Sequence, residues 1–373
     1  MIFCLHWGKR SQLNYNKMRY LFFFLGQPIH MSHKRAMTNP SILPELIDVF
    51  KHQLTYCNLK PGELCLAITD LAYNPIYADA CIGSALNIGA ETIKLTLPYN
   101  RPLPRKGWGA ALQEADLIVY STTHTLHYTE EIKLALKAGK RVLMVVQPLH
   151  TLYRLKADPL VIFRTKNAAE YLKKSDQIRM VSNAGTDLIM ERGNRPVLSH
   201  YGVADEPGHS DFWGTGMIET APLEDSLEGT MVLDTGDQMF YMARYVENPV
   251  KITFRKGRIT KIMGGLDAFL MRKHIESFNE ENAWRAGHIT FGTDKRALWT
   301  AQAVQFPELG FSGGDAESYY GNVQVEVGSN NDVYFCGKNK SKAHLGHCML
   351  KTSVYLDDDL FIDNGMFVPR ELN

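Results

Sequence analysis

Two histidines in the C-terminal half are the residues best able to do chemistry: His288, in Gly-His-Ile-Thr-Phe-Gly, and His344, in His-Leu-Gly-His. Each lies in a short apolar run, where an imidazole is an unusual choice. Neutral imidazole is the commonest protein ligand for transition metals, and two imidazoles plus a carboxylate make the usual metal-binding set of a non-haem iron oxygenase. The carboxylate is not obvious, because the residue two beyond His344 is Gly346. In a strand, residues i and i+2 share a face while i+3 points away. His347 therefore joins His344 only if Gly346 introduces a bulge, which a glycine in a strand often marks.

A second candidate centre is Thr122-Thr-His124-Thr-Leu-His127, after the apolar run 115–121. Ligands of open α/β sheets bind outside the carboxyl ends of the strands. A histidine there, titrating near neutrality, can take or give a proton. Both His124 and His127 lie in this loop. The polar blocks 200–213 and 219–230 gather His, Asp and Glu beside Gly and Trp. From them Asp205, Glu206 and His209 are candidates for substrate contact, and Tyr319 or Tyr320 could orient a ring.

The elements that must position these groups fall into two sets. Residues 43–56, 75–87 and 130–138 read as helices, and 64–69, 92–97, 115–122 and 141–146 as apolar strands. Strand and helix alternating at this spacing predict a parallel sheet with helices on both faces. No glycine-rich nucleotide cradle accompanies it. Residues 150–176 read as a helical link. Beyond them the pattern turns to strands and glycines, with a hairpin over 250–264 about Lys256-Gly257, one long helix over 266–279, and strands over 332–336 and 352–356. The expected fold class is α/β: an N-terminal parallel-sheet domain over 37–176 and an α+β C-terminal domain over 177–373 that carries the metal site. Residues 1–36 read as a disordered or mis-started extension, since six apolar residues at 20–25 cannot span a bilayer.

Composition narrows the class. The 373 residues are 45% hydrophobic and 22% charged, with 41 Lys+Arg against 40 Asp+Glu. That balance points away from nucleic acid and from membranes. Six cysteines form no Cys-x-x-Cys pair and suit neither a zinc ribbon nor a disulfide framework, so a reducing cytoplasm is expected. Cys65 and Cys336 read as buried small hydrophobes and Cys348 as packing.

Four stretches carry a family resemblance: Tyr201-Gly-Val-Ala-Asp-Glu-Pro-Gly208, Glu224-Asp-Ser-Leu-Glu-Gly-Thr230, Tyr320-Gly-Asn322 and Tyr355-Leu-Asp-Asp358. Over roughly residues 40–365 the chain resembles the 2,5-dihydroxypyridine 5,6-dioxygenases and, more distantly, the aminopeptidase T metallopeptidases. The peptidase resemblance implies two metal ions. The positions it assigns to ligands are Met217, His288, Gln324, His344 and Gly346 here, so that dinuclear site is largely dismantled. The dioxygenase resemblance implies iron(II), Fe(II), held at His288 and His344 and by an aspartate whose place is taken by Gly346. Glu326 shares a strand face with Gln324, so Glu326 or His347 is the expected third ligand. The resemblance also implies an acid/base histidine in the 122–127 loop, matched by His124 or His127, with His127, closer to the following helix, favoured. It implies too dioxygen as co-substrate, a small hydroxylated aromatic or N-heterocyclic substrate, and a homo-oligomer. A family histidine near Trp213 is Phe212 here. The alternatives are an aminopeptidase T-like metal-dependent hydrolase and a metal-free binding homologue.

Overall fold

The structure is a computed structural model that describes residues 42–99, 102–104, 107–304, 314–332 and 334–373. The extension expected over residues 1–36 lies outside the described residues. Its first unit is a five-stranded parallel sheet. The strands are β1 (Leu64–Asp70), β2 (Glu91–Leu97), β3 (Leu117–Ser121), β4 (Arg141–Met144) and β8 (Ser210–Phe212), in the order β2-β1-β3-β4-β8. β3 and β4 are buried along their whole length, as strands covered on both faces must be. One apolar cluster lies on each face of the sheet. Helices α1 (Leu43–Tyr56) and α2 (Ile76–Ile88) cover one, where Phe50 meets Trp213 edge-on at 4.7 Å. Trp108 and Tyr120 belong to the other.

The chain leaves this unit through α5 (Leu149–Arg154) and α6 (Pro159–Lys173); Asp158 caps α6, accepting from the Leu160 N–H at 2.8 Å, with Pro159 at the first helical position. The C-terminal unit consists of antiparallel sheets of eight and seven strands sharing one core that contains Phe254, Phe291 and Val325. The predicted hairpin forms, with Lys256 and Gly257 both left-handed at φ 48° and 65°. A side chain at 257 would also collide with the Glu224 carbonyl.

Two readings need correction. The boundary after residue 176 is crossed, because β8 pairs with β4 and Tyr201, Val203 and Trp213 pack in the first core. A strand of only three residues carries too little pattern to reveal its sheet. The strand expected over 332–336 does not form at the described residues 332 and 334–336, and a turn takes its place at 334–335. Asp332 Oδ1 accepts the N–H groups of Tyr334 (2.8 Å) and Phe335 (2.9 Å), and such a side-chain acceptor competes with strand pairing. Cys336 consequently sits exposed at φ 55° rather than buried.

Three neighbouring strands of the seven-stranded sheet carry the chemistry: β15 (Ala286–Gly292), β16 (Val323–Gly328) and β17 (His344–Met349). The pairing of β15 with β16 slips between Ala286 and Ile289, so a bulge falls at Gly287-His288. Bulges re-aim side chains, and this one sets His288 beside Glu326. Across the next pair, Glu326 faces Gly346 and Gly328 faces His344.

Candidate metal centre

His288, Glu326 and His344 converge, with ligand atoms all within 4.8 Å of one another, and no other group of three with that geometry occurs among the described residues. Glu326 Oε1 is 3.7 Å from His288 Nε2, and Oε2 is 3.5 Å from His344 Nε2. Metal–imidazole bonds are about 2.0–2.1 Å, so donors sharing an ion stand roughly 3–4 Å apart. The donor set therefore fits one ion, and an orphaned atom supports that fit. Glu326 is 1% exposed, yet its Oε2 has no hydrogen-bond partner. A buried carboxylate oxygen left so is costly unless a cation answers it. Burial, then the neighbouring charge of Glu219, hold the Glu326 carboxyl well above the usual range. Glu317 is raised to about 8 by burial and by Glu326 and Glu219. The pocket thus holds surplus acid.

His347 is not part of this group. Its Nδ1 lies 3.0 Å from the Val325 carbonyl and its Nε2 3.2 Å from the Tyr241 hydroxyl, on the opposite face of β17. β17 keeps its pairing through Gly346, so no bulge turns His347 round. Gln324 contributes an amide rather than a ligand: its Nε2 donates to Glu326 Oε1 at 2.7 Å, and its Oε1 accepts from the Cys348 thiol at 2.8 Å. This pins the carboxylate from behind.

Gly346 explains why the carboxylate comes from the facing strand. A Cβ there would lie 1.8 Å from Phe240 Cε1 and 2.8 Å from Glu326 Oε1. The space an aspartate would need is filled by a ring and by the other carboxylate. Gly346→Ala is therefore expected to cost about 1–3 kcal/mol by overpacking, read as a lower urea midpoint. Adding Phe240→Ala should relieve much of that loss; an unchanged midpoint in the single variant would contradict the packing.

Above the cluster opens a cavity of about 790 Å³, lined by His288, His344, Glu219, His200 and, from the first unit, His127. His127 is 5% exposed, and burial first, then the charge of His200, lower its pKa to about 3. It is a neutral imidazole with a lone pair to offer. Tyr334 stacks on it at 4.3 Å, and the adjacent Phe335 stacks on His288 at 4.4 Å. The Asp332 turn thus braces one histidine from each unit. His124 is exposed and stacks instead on Tyr99.

His200 ends β7 (Val197–His200), with Nδ1 3.3 Å from Asp211 and Nε2 3.4 Å from Glu219. Burial works against its charge, but the two carboxylates prevail and raise its pKa to about 10. A raised folded pKa stabilises fully below the unfolded value near 6.5 and is lost as pH climbs through about 10. Melting temperature should accordingly fall between pH 7 and 10, and His200→Gln should flatten that slope. Parallel slopes would contradict the ion triad.

The other anticipated contacts lie elsewhere. Asp205, Glu206 and His209 do not line the cavity; Asp205 bonds the Tyr201 hydroxyl (2.7 Å), and Lys166 pairs with Glu206 at 2.8 Å. Tyr319 packs edge-on against Trp299, and the Tyr320 hydroxyl donates to the Leu372 carbonyl, both outside the cavity. Conversely, His200, Glu219, Glu317, Tyr334 and Phe335 were not singled out from sequence. The Asp-x-Tyr-Phe order of an Asx turn was the one available signal for the last two.

An α/β fold with a two-histidine, one-carboxylate cluster, buried at His288 and Glu326 and exposed at His344, beneath a cavity rich in aromatic side chains defines an enzyme for small molecules. No described helix is long and apolar enough to cross a membrane. The sequence profile described as NicX, 2,5-dihydroxypyridine 5,6-dioxygenase, matches residues 45–369, and the chain belongs to that family of ring-cleaving oxygenases. A curated 2,5-dihydroxypyridine 5,6-dioxygenase of Pseudomonas putida is 36% identical over 344 residues, covering 88% of this chain and 97% of the relative. The solved structure of the 2,5-dihydroxypyridine dioxygenase from that species superposes with a TM-score of 0.83 at 30% identity, covering 89% of this chain and 99% of that one. AmpT from Thermus thermophilus matches at a TM-score of 0.60 and 12% identity over 88% of this chain and 100% of its own, which shows a shared fold.

Proposed function

We propose that the protein is an iron(II)-dependent dioxygenase that opens the ring of a hydroxylated N-heterocycle of the 2,5-dihydroxypyridine type. The observation that carries this reading is the orphaned Glu326 carboxylate set between His288 and His344. His288, His344 and Glu326 would hold ferrous iron, which would supply the chemistry that activates dioxygen beside the substrate. The Pseudomonas relative's name supplies the substrate class.

The protein's own groups divide the remaining work. His127 accepts the proton of the ring hydroxyl, which makes the ring an electron-rich anion. Its Nδ1 faces Ser210 Oγ at 3.5 Å, leaving Nε2 as the atom that takes the proton. Gln324 fixes the Glu326 carboxylate, and Phe335 limits rotation of His288. Phe212, Tyr334 and Phe335, which line the cavity, give the anion an apolar surrounding on their side. Cleavage next to the hydroxyl-bearing carbon adds one oxygen atom to each of the two carbons. The first becomes a carboxyl group and the second a formyl group, so both atoms of dioxygen are accounted for. The buried thiols Cys57, Cys65 and Cys81 are unpaired, as suits a cytoplasmic protein.

The test is oxygen uptake by protein reconstituted anaerobically with ferrous iron, offered 2,5-dihydroxypyridine, 2-hydroxypyridine, 3-hydroxypyridine and catechol. One dioxygen consumed per ring opened, with the dihydroxylated heterocycle preferred, supports the reading. No uptake by iron-loaded protein, or peptide cleavage with zinc, would sink it.

A further inference from the structure

Beyond the metal cluster runs a line of ionisable side chains that the ring chemistry above leaves unused. It begins at His200, which lines the cavity. His200 Nδ1 is 3.3 Å from Asp211 Oδ1, Asp211 Oδ2 is 3.8 Å from His209 Nε2, and His209 Nδ1 is 3.1 Å from Asp205 Oδ1. Asp205 Oδ2 then stands 3.4 Å from Lys166, whose side chain is 39% exposed. Imidazole and carboxylate alternate throughout. Side-chain exposure rises outward, from 8% at His200 and 0% at Asp211 to 18% at His209 and 17% at Asp205. The line therefore runs from cavity to solvent.

The local fold holds it in place. Asp211 Oδ2 accepts the N–H groups of Tyr201 (2.9 Å) and Gly202 (3.1 Å), and Oδ1 accepts the Thr215 hydroxyl (3.1 Å). Gly202 and Gly208 are left-handed at φ 85° and 77°, which lets residues 200–211 double back and bring His209 over Asp211. The titratable neighbours are Glu219 and His127 near His200, the buried Cys57 thiol near Asp211 and Asp205, the Tyr201 hydroxyl 2.7 Å from Asp205 and 3.3 Å from His209, and Lys166 with Glu206 at the surface.

We propose that His200, Asp211, His209 and Asp205 form a proton relay that carries to solvent the proton released in each turnover. The need follows from the reaction proposed above, on which this inference rests. The ring carbon bearing the hydroxyl becomes a carboxylic acid, and that acid ionises near neutral pH, so one proton must leave a cavity lined by a mixture of aromatic, aliphatic and polar side chains. An imidazole set between two acceptors can take a proton on one nitrogen and release another from the opposite nitrogen. His200 takes the incoming proton at Nε2, the nitrogen that faces Glu219 at 3.4 Å, and passes its Nδ1 proton to Asp211. Asp211 gives it to His209 Nε2, and His209 releases its Nδ1 proton to Asp205 and thence to water. Each group gains one proton and loses one, so the relay ends as it began once the rings reorient. Two links require the rings to turn: His200 Nδ1 makes no hydrogen bond as it stands, and His209 Nε2 is 3.8 Å from Asp211, the longest step in the line.

Full-length protein loaded with iron tests this through His209→Leu and His209→Asn, neither of which touches the metal ligands. Relative to wild type in weak buffer, kcat is expected to fall by about tenfold or more, within the range of acid–base effects. KM and iron content should stay the same, and the solvent isotope effect on kcat should rise. Added imidazole should restore kcat in a concentration-dependent way, a response that a merely structural role would not give. Should the His209 variants fail to fold, Asp205→Asn, nearer the surface, is expected to show the same dependence on buffer. Wild-type kcat in weak buffer, or a loss that imidazole does not repair in a variant of unchanged melting temperature, would overturn the relay alone. Iron-loaded wild type that takes up no oxygen would overturn both the relay and the dioxygenase reading.

Discussion

Glu326→Gln should lose the metal while keeping the fold. The amide has nearly the same shape, so the packing against Gln324 and β17 survives. What is lost is the negative charge between two imidazoles and one oxygen donor. Disturbing groups that merely support a ligand already costs 10–100-fold in affinity in typical sites. Removal of a ligand is therefore expected to weaken iron binding by at least about 100-fold, with activity falling in step. Stability without metal should hold or rise, because a buried carboxyl lacking a partner for Oε2 is replaced by a neutral group. Titration of ferrous iron into the two proteins, followed by elemental analysis, checks the first half; melting curves in chelator check the second. His347→Gln is the control and should retain iron, since both nitrogens of His347 already face protein oxygens. Retained iron in Glu326→Gln together with lost iron in His347→Gln would reverse the assignment.

His127→Asn should lower kcat by about 10²–10⁴, the span of a lost general acid–base group, with iron content unchanged. The residue lies across the cavity from the cluster, on a loop fixed when Asp70 accepts the N–H and hydroxyl of Thr123. Substrates offered as the preformed anion, at pH above the hydroxyl's own pKa, should narrow the gap between variant and wild type. The comparable change at His124, exposed and stacked on Tyr99, should cost little. Equal losses at both positions would mean that the loop, rather than the imidazole, matters. Steady-state oxygen uptake across pH distinguishes these outcomes.

Much of the fold could be read in advance, for physical reasons. Helices long enough to show a repeating apolar face, and strands apolar on both faces, announce themselves; 43–56 and 64–69 fell within a residue of α1 and β1. Short elements do not, which is why β8 was missed. The turn at Asp332 was read as a strand because Val-Tyr-Phe has strand composition, while the Asp side chain that pre-empts the ladder acts through a single hydrogen-bonding atom. At the site, the two histidines were conspicuous because imidazoles are rare in apolar strands. Glu326 could be paired with them only as one of two options. Cross-strand register decides that choice, and register is a property of two segments rather than one. The same limit hid Glu219 and His200, whose partners lie in other strands or loops; Asp205, Glu206 and His209, which share a sequence block with His200, are not among the residues lining the cavity.

The central claim is one ion shared by His288, His344 and Glu326. Crystals of the full chain grown anaerobically with ferrous iron, with diffraction collected either side of the iron absorption edge, test it most directly. A single anomalous peak is expected within about 2.0–2.2 Å of both imidazoles and of a Glu326 oxygen, as metal–nitrogen and metal–carboxylate bonds require. Two peaks, a peak that engages His347 instead of Glu326, or no peak in iron-saturated crystals would contradict it.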